Sequence, residues 1–326
     1  MSKDLYKTLP VLFFMFAILT AILQRLKKIV IKDSVNIVDI SSLDTIYVCL
    51  VSSNDPELIQ FIKYIRARSE YPNRIRIGVL EYVDRHDLSV ADFVPENIRP
   101  FVQFHTKSIR SIGSVVNAQR ICIDQFYKQE KYICLMGPCF LEMGWDSHLC
   151  HNILNDKTII SIPLSKKRES KFITCKIQND RVVMRHDTIK QCPVKSIPSI
   201  MCDHSFIFGN GICIRKLVQG VYRIKNPQNI SAAFTLQARE LNFYLMSPTH
   251  LIASKGYHPL FKQSKLRNHE DEDENIHERL IELLKLRTKS DSVYARIGLT
   301  LHPSDEECIA KYGSVAASRI AIEQKR

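Results

Sequence analysis

The chain has 326 residues, 45% hydrophobic and 25% charged, an ordinary globular composition with room for one large domain or two small ones. Its 46 Lys and Arg exceed 34 Asp and Glu, giving a formal charge of +12, which suits nucleotides, nucleic acid or acidic membranes, or is a solvated basic surface and nothing more. No zinc-finger spacing and no basic base-reading helix is present, which argues against nucleic acid, and the 10 glycines form no glycine-rich phosphate loop.

In chain order, residues 1–8 are a short tail. Leu9 to Leu23 is an uncharged apolar run of fifteen residues, shorter than the roughly 20 needed for a full hydrocarbon span. Tyr6 and the stems of Lys7 and Arg25 extend it by snorkelling. The basic "QRLKKIVIK" that follows has no small-residue cleavage site. The expectation is an uncleaved signal anchor over 9–23 and a stem over 24–43, with a signal peptide or a peripheral hydrophobic helix as rivals. The chain then reads as a single-pass membrane protein, type II in the Golgi or endoplasmic reticulum, with its N-terminal helix contacting the membrane. The positive-inside tendency allows the opposite orientation, a cytosol-facing domain, and a virion membrane is a further alternative. One sequon, Asn229-Ile230-Ser231, permits luminal glycosylation.

The remaining residues, 44–326, form one domain in this reading. "DTIYVCLVSS" from Asp44 is a buried strand, continuous rather than alternating. Asn54-Asp55-Pro56 starts a helix carrying Leu58, Ile59, Phe61, Ile62 and Ile65 at helical spacing. "NRIRIGVLEYV" is a second strand, Val115 to Glu130 a second helix, and "KYICLM" a third strand. That order predicts a parallel sheet of the nucleotide-binding type. "TIISIPLS", "KFITCKI" and "RVVMRH" are further strands, and "SFIFGNGICIRKL" reads as strand, turn and strand around Gly209-Asn210-Gly211. "EDEDENIHERLIELLKLR" begins as a solvated acidic run and continues as an amphipathic helix, and a short helix ends at Gly313. Ten cysteines show no C-x-x-C; Cys49 and Cys134, inside apolar runs, read as core packing.

In open α/β sheets ligands bind beyond the carboxyl ends of the strands. Three such ends converge here, at Ser52-Ser53-Asn54-Asp55, at Glu81-Tyr82, and at Gly137-Pro138-Cys139. Beyond the last of these lies Asp146-Ser147-His148, a carboxylate and an imidazole at a spacing that suits a metal. Asp203-His204, before "SFIFGNG", reads mainly as a polar turn and secondarily as a sugar or acceptor contact.

The ordered series "SSNDPEL", "PNRIRIGV", "GSVVNAQR", "YICLMGPC", "WD" and "YLMSP" resembles the hydroxyproline N-acetylglucosaminyltransferase family (glycosyltransferase family 60). Its motifs read "SYRDPEL", "P-x-R-[IV]-x-[IV]-G-V", "G-P-x-x-A-R", a strand ending in Asp-Ser-His, "W-D" and "FFSP". The resemblance implies a GT-A-like α/β fold, a mixed and mainly parallel sheet flanked by helices. It also implies transfer of N-acetylglucosamine from UDP-GlcNAc to a protein hydroxyl. Ser52, Ser53, Asn54, Asp55 and Glu81 would then meet uridine and ribose, and Arg120, Gly137, Pro138 and Cys139 the diphosphate. The departures are specific. The family's Asp-Ser-His, which holds a divalent metal on the diphosphate, is replaced by Gly137, Pro138 and Cys139, and one thiol does not hold Mg²⁺ or Mn²⁺. The family's "G-E-E" falls near Asn229, Ile230 and Ser231, and its later His near Lys255. Three readings stay open. Asp146 and His148 are a displaced site for Mn²⁺ or Mg²⁺; the enzyme works without metal, with Lys255 supplying charge; or the fold persists without catalysis, as a membrane-anchored scaffold for a protein partner, for example in a large DNA virus.

Overall fold

The computed structural model describes residues 44–256, apart from 54, 112, 167–168, 179–180, 189–195, 200, 225 and 227–228, together with 274–284. The chain divides into Met1–Leu43 and Asp44–Arg326, and all described residues belong to the second unit. Its strands are β1 Ile46–Ser53, β2 Ile75–Val83, β3 Val102–Ser108, β4 Tyr132–Met136, β5 Cys139–Leu141, β6 Thr158–Ser161, β7 Lys171–Gln178, β8 Arg181–Thr188, β9 Ser196–Pro198, β10 Phe206–Asn210, β11 Tyr244–Pro248 and β12 Ala253–Lys255. The helices are α1 Leu58–Ala67, α2 Val115–Phe126, α3 Trp145–Asn152, α4 Gly211–Val221, α5 Ile230–Glu240 and α6 Glu274–Leu284.

Among the described residues the main sheet has eight strands in the order β3-β2-β1-β4-β10-β6-β11-β9. β3, β2, β1 and β4 run parallel, β10 is antiparallel to both β4 and β6, β11 is parallel to β6, and β9 closes the edge antiparallel to β11. The continuous apolar runs follow from burial on both faces. Ile46, Val48, Leu50, Ile77 and Val79 face α1 and α3. Tyr47, Cys49, Leu80, Ile133 and Leu135 face α2, α4 and α5. Cys49 and Cys134 are fully buried within these layers. Trp145 opens α3 inside the first layer, fully buried, and its Nε1 donates to Ile65 O at 3.0 Å.

Two expectations are corrected. Gly209-Asn210-Gly211 does not turn a hairpin: β10 ends at Asn210 and α4 begins at Gly211. Asn210 caps that helix, its side chain accepting from Ile212 N at 3.0 Å, and Ile214, Leu217, Val218 and Val221 recur on one buried helical face. The single-pass membrane placement is also not supported. Among the described residues no helix is long and apolar enough to cross a membrane, and the Leu9–Leu23 run and the 24–43 stem lie outside the described residues. The acidic run up to Asp273 and the helix ending at Gly313 lie outside them too.

Candidate functional site

Because β1, β2 and β4 are parallel neighbours, their carboxyl ends share one edge of the sheet. Ser52 stands opposite Glu81 in the β1–β2 ladder, and Glu81 opposite Thr106 in the β2–β3 ladder. The Ser52 hydroxyl is buried without a hydrogen-bond partner. Ser53 beside it is half-buried, and Asn54 lies outside the described residues. Asp55 is buried; its Oδ1 accepts from Glu57 N at 3.0 Å, while its Oδ2 is buried without a partner. Burial raises the Asp55 carboxyl above its ordinary value, against the pull of the Glu57 amide. Two orphan polar atoms at one strand end leave room for a ligand's donors and acceptors, since a buried polar group without a partner costs about 1–3 kcal/mol.

Glu81 is fully buried, and the protein itself engages both of its carboxylate oxygens. Oε2 accepts from the Ser89 hydroxyl at 2.6 Å and Oε1 from Val90 N at 3.0 Å. It fixes the loop beyond β2. Arg120 lies in mid-α2, where Nη1 pairs with Asp124 at 3.1 Å, Nε contacts Asn117 Oδ1 at 3.4 Å, and the guanidinium lies 4.7 Å from the Tyr222 ring centroid. These partners hold it against α4, and none of them belongs to the Gly137–Cys139 turn.

That turn lies where β4 hands the chain to β5. Gly137 N donates to Ser205 O at 3.2 Å. β5 pairs antiparallel with β12, with Cys139 opposite Lys255. The fold thus brings Lys255 to the Gly137–Cys139 turn, which lies more than a hundred positions earlier in the chain. Lys255 is exposed; its main-chain N–H donates to Ser165 O at 2.9 Å, and among the described residues no carboxylate pairs with its ammonium. Cys139 is buried, and burial pushes its thiol far up, so it offers no thiolate.

A divalent metal does not fit this turn. Gly137 and Pro138 have no ligating side chain, and hard cations take oxygen ligands. Among the described residues no group of three or more His, Cys, Asp or Glu could hold a metal ion. Asp146 is fully buried and accepts from Glu70 N at 2.7 Å, Tyr71 N at 3.1 Å and Arg74 Nε at 2.9 Å. His148, two residues on and so on another side of the helix, is exposed, with its ring centroid 4.9 Å from that of His250. The two side chains that share a motif in sequence face different surroundings.

The fold places at this edge two further groups, one that sequence reasoning weighed lightly and one that it missed. The first is Asp203-His204-Ser205, held at the β4 end because β10 runs antiparallel to β4. His204 Nδ1 is 2.9 Å from Ser231 Oγ, at the start of α5, near the place the resemblance gave to acidic residues. Burial lowers the His204 imidazole, with Asp203 opposing. Burial raises the Asp203 carboxyl, but hydrogen bonds from His186 and Ser205 outweigh it and hold the group below its ordinary value. The second is a cavity of about 340 Å³ beside the turn, lined by Glu57, Gln60, Phe61, Tyr64, Pro138, Cys139, Phe140 and Gly256. Tyr64 Oη brackets β5, donating to Leu141 O at 3.0 Å and accepting from Leu141 N at 2.9 Å. The signal that could have found it is the spacing of Phe61 and Tyr64, one turn apart on α1.

No protein-family model and no curated protein matches the chain. Among solved structures, that of GalNAc-T7 with UDP, GalNAc and Mn²⁺ aligns with TM-score 0.55 and 9% identity over 74% of this chain and 48% of that one. The chain therefore spans about half the length of GalNAc-T7. Staphylococcus aureus TarS 1-349 in complex with UDP-GlcNAc aligns with TM-score 0.43 and 10% identity over 75% of this chain and 68% of that one. The likeness to GalNAc-T7 shows the fold, a GT-A-like mixed α/β arrangement with a mainly parallel central sheet.

Proposed function

We propose that this chain is a glycosyltransferase-like protein that takes a sugar nucleotide, UDP-GlcNAc, at the carboxyl ends of β1, β2 and β4, with Lys255 in place of a metal. The observation that carries the reading is the pairing of β5 with β12, which puts Lys255 opposite Cys139 at the end of β4. Ser52 and Asp55 support it with orphan polar atoms at the neighbouring strand end. In this reading they meet the nucleoside together with Ser53 and Asn54. The backbone of the Gly137–Cys139 turn approaches the diphosphate. Glu81 shapes the pocket indirectly, by fixing its loop, and Arg120 does not take part.

A positive side chain beside a diphosphate stabilises the charge that develops as the glycosidic bond breaks. A Lys ammonium does this as a flexible point charge, without the fixed geometry of a metal or a guanidinium fork. The finer reading, kept from the family resemblance, is transfer of N-acetylglucosamine to a protein hydroxyl.

One observation favours a second reading, a scaffold that binds but does not transfer. Glu81 and Asp203, buried carboxylates at this edge, are both engaged by protein groups, and among the described buried carboxylates Asp55 keeps an unpartnered oxygen. UDP release from UDP-GlcNAc in EDTA, with a panel of Ser-, Thr- and hydroxyproline-containing peptides, separates the two. Acceptor-dependent release that is lost in Lys255→Ala supports transfer. Nucleotide binding without release supports the scaffold.

A further inference from the structure

The cavity of about 340 Å³ beside the Gly137–Cys139 turn has two walls. One is α1. Glu57, which caps the helix, and Gln60, Phe61 and Tyr64 recur at i, i+3, i+4 and i+7, so they share one helical face. Glu57 and Gln60 are exposed, Tyr64 is half-buried and Phe61 is buried, so this face runs from a polar rim to an aromatic interior. The Phe61 and Tyr64 rings lie 18° from parallel, with centroids 6.4 Å apart. The other wall is the chain entering β5, at Pro138, Cys139 and Phe140. Phe140 stays 39% exposed, between buried Cys139 and buried Leu141. Hydrogen bonds hold the two walls in register. Tyr64 Oη bonds both the N–H and the carbonyl of Leu141, and Gly144 N donates to Arg68 O, just past α1, at 2.8 Å. The cavity is therefore built into the fold, without a ligand to prop it open.

Pockets for small ligands span roughly 300–1,000 Å³, so this one takes a single ring system rather than a nucleotide or a lipid chain. Its two charged or amide side chains, Glu57 and Gln60, are too few for the hydroxyls of a pyranose. The Tyr64 hydroxyl has already given its proton to Leu141 O, so that residue offers the cavity mainly its ring. An aromatic guest with one polar tip fits such walls. Its ring meets Phe61, Tyr64 and Phe140 in edge-to-face or offset contacts, and the oxygens of Glu57 and Gln60 accept from its hydroxyl. We propose that this cavity is the acceptor subsite and that it takes a phenol, either a tyrosyl side chain or a small phenolic molecule. The role as acceptor subsite rests on the proposed function; the binding of a phenol does not. Pro138 and Cys139 belong both to the cavity and to the turn assigned to the diphosphate, so a seated phenol lies beside the leaving group. In transfer the phenol oxygen bonds to the anomeric carbon and UDP leaves with the electron pair of the bond that breaks. The phenolic proton, with a pKa of about 10, passes to water at the exposed rim.

The test is ligand-observed NMR titration of the full chain with N-acetyl-tyrosinamide, N-acetyl-phenylalaninamide, N-acetyl-threoninamide and 4-cresol, each with and without UDP-GlcNAc. The tyrosine amide should bind saturably, roughly tenfold tighter than the threonine amide for the buried ring and about threefold or more tighter than the phenylalanine amide for the hydroxyl. Gln60→Trp places a large ring in the cavity from an exposed helix position. It should weaken the tyrosine amide roughly tenfold or more and leave UDP-GlcNAc binding unchanged. Phe140→Ala, at an exposed site, should weaken the tyrosine amide as well, and it serves alone should Gln60→Trp fail to fold. Equal binding of the tyrosine and threonine amides, or of the tyrosine and phenylalanine amides, overturns the proposal. So does binding that both variants leave intact, or a phenol displaced by UDP-GlcNAc. Phenol binding by a chain that takes no UDP-GlcNAc sinks the proposed function and the acceptor role while the phenol site stands. A tighter tyrosine amide assigns the site to a tyrosyl side chain, and a tighter 4-cresol to a small phenol.

Discussion

Arg74 and Asp146 form a buried ion pair that joins the entry to β2 with the start of α3, Nη2 lying 2.8 Å from Oδ2. The same carboxylate also accepts two backbone N–H groups, from Glu70 and Tyr71. Removing one partner of such a pair strands the other charge, a loss of about 3–5 kcal/mol. Asp146→Asn should therefore lower stability by that amount in urea unfolding monitored through Trp145, the chain's single tryptophan. Mn²⁺ should leave the midpoints of wild type and variant alike unchanged. A wild-type midpoint that rises with Mn²⁺ and no longer does so in Asp146→Asn would restore the displaced metal site.

Tyr47 and Gly78 meet across the β1–β2 ladder. The buried Tyr47 hydroxyl donates to Cys122 O at 3.1 Å, and a Cβ on Gly78 would collide with that same hydroxyl. Gly78→Ala should cost about 1–3 kcal/mol by overpacking. Tyr47→Phe in the same background should recover part of the loss, because it removes the atom in the way. Full stability in Gly78→Ala, measured by urea unfolding, would show that this approach is looser than described.

Acid stability should show two separate limbs. His204 has a lowered folded-state value, so protons bind the unfolded chain first as pH falls below about 6.5, and stability declines from there. Asp203 is also held low, so its contribution is complete above about 3.9 and is lost only in stronger acid, as pH falls through its folded-state value. His204→Gln should flatten the limb just below about pH 6.5, and Asp203→Asn the more acidic one. Denaturant midpoints followed from pH 7 to pH 3 check this. An unchanged upper limb in His204→Gln contradicts the assignment.

The first half of the fold was legible because its signals are local. The runs that became β1, β2 and β4 are apolar throughout, and helical periodicity marks α1 and α2 between them. Where sequence reasoning failed, a local signal was real but served another purpose. Gly209-Asn210-Gly211 has turn chemistry, yet Asn210 caps a helix, and Gly211 is small because the Tyr127 hydroxyl and Glu130 carbonyl approach it closely. Arg120 is a different case: it matched a family position by alignment, and its partners Asn117, Asp124 and Tyr222 become visible only once α2 and α4 pack. The orphan atoms of Ser52 and Asp55 could not be read from the sequence at all, since a missing partner is a property of the three-dimensional surroundings. The approach of Lys255 to Cys139 depends on two three-residue strands, too short to carry a pattern of their own.

Lys255 should affect binding without affecting the fold. Its side chain is exposed, and its structural hydrogen bond, to Ser165 O, comes from the main chain. Lys255→Ala should thus change stability by no more than about 0.5 kcal/mol. A charge-assisted contact to a diphosphate is worth about 1.5–3 kcal/mol, or roughly tenfold to a hundredfold in affinity.

The most direct measurement is calorimetric titration of the full chain with UDP-GlcNAc in EDTA, for wild type and Lys255→Ala side by side. Saturable wild-type binding in EDTA, weakened at least tenfold in Lys255→Ala while the melting temperature holds, is the predicted result. No wild-type binding in EDTA, or equal binding by both proteins, would contradict the assignment of Lys255 to the diphosphate.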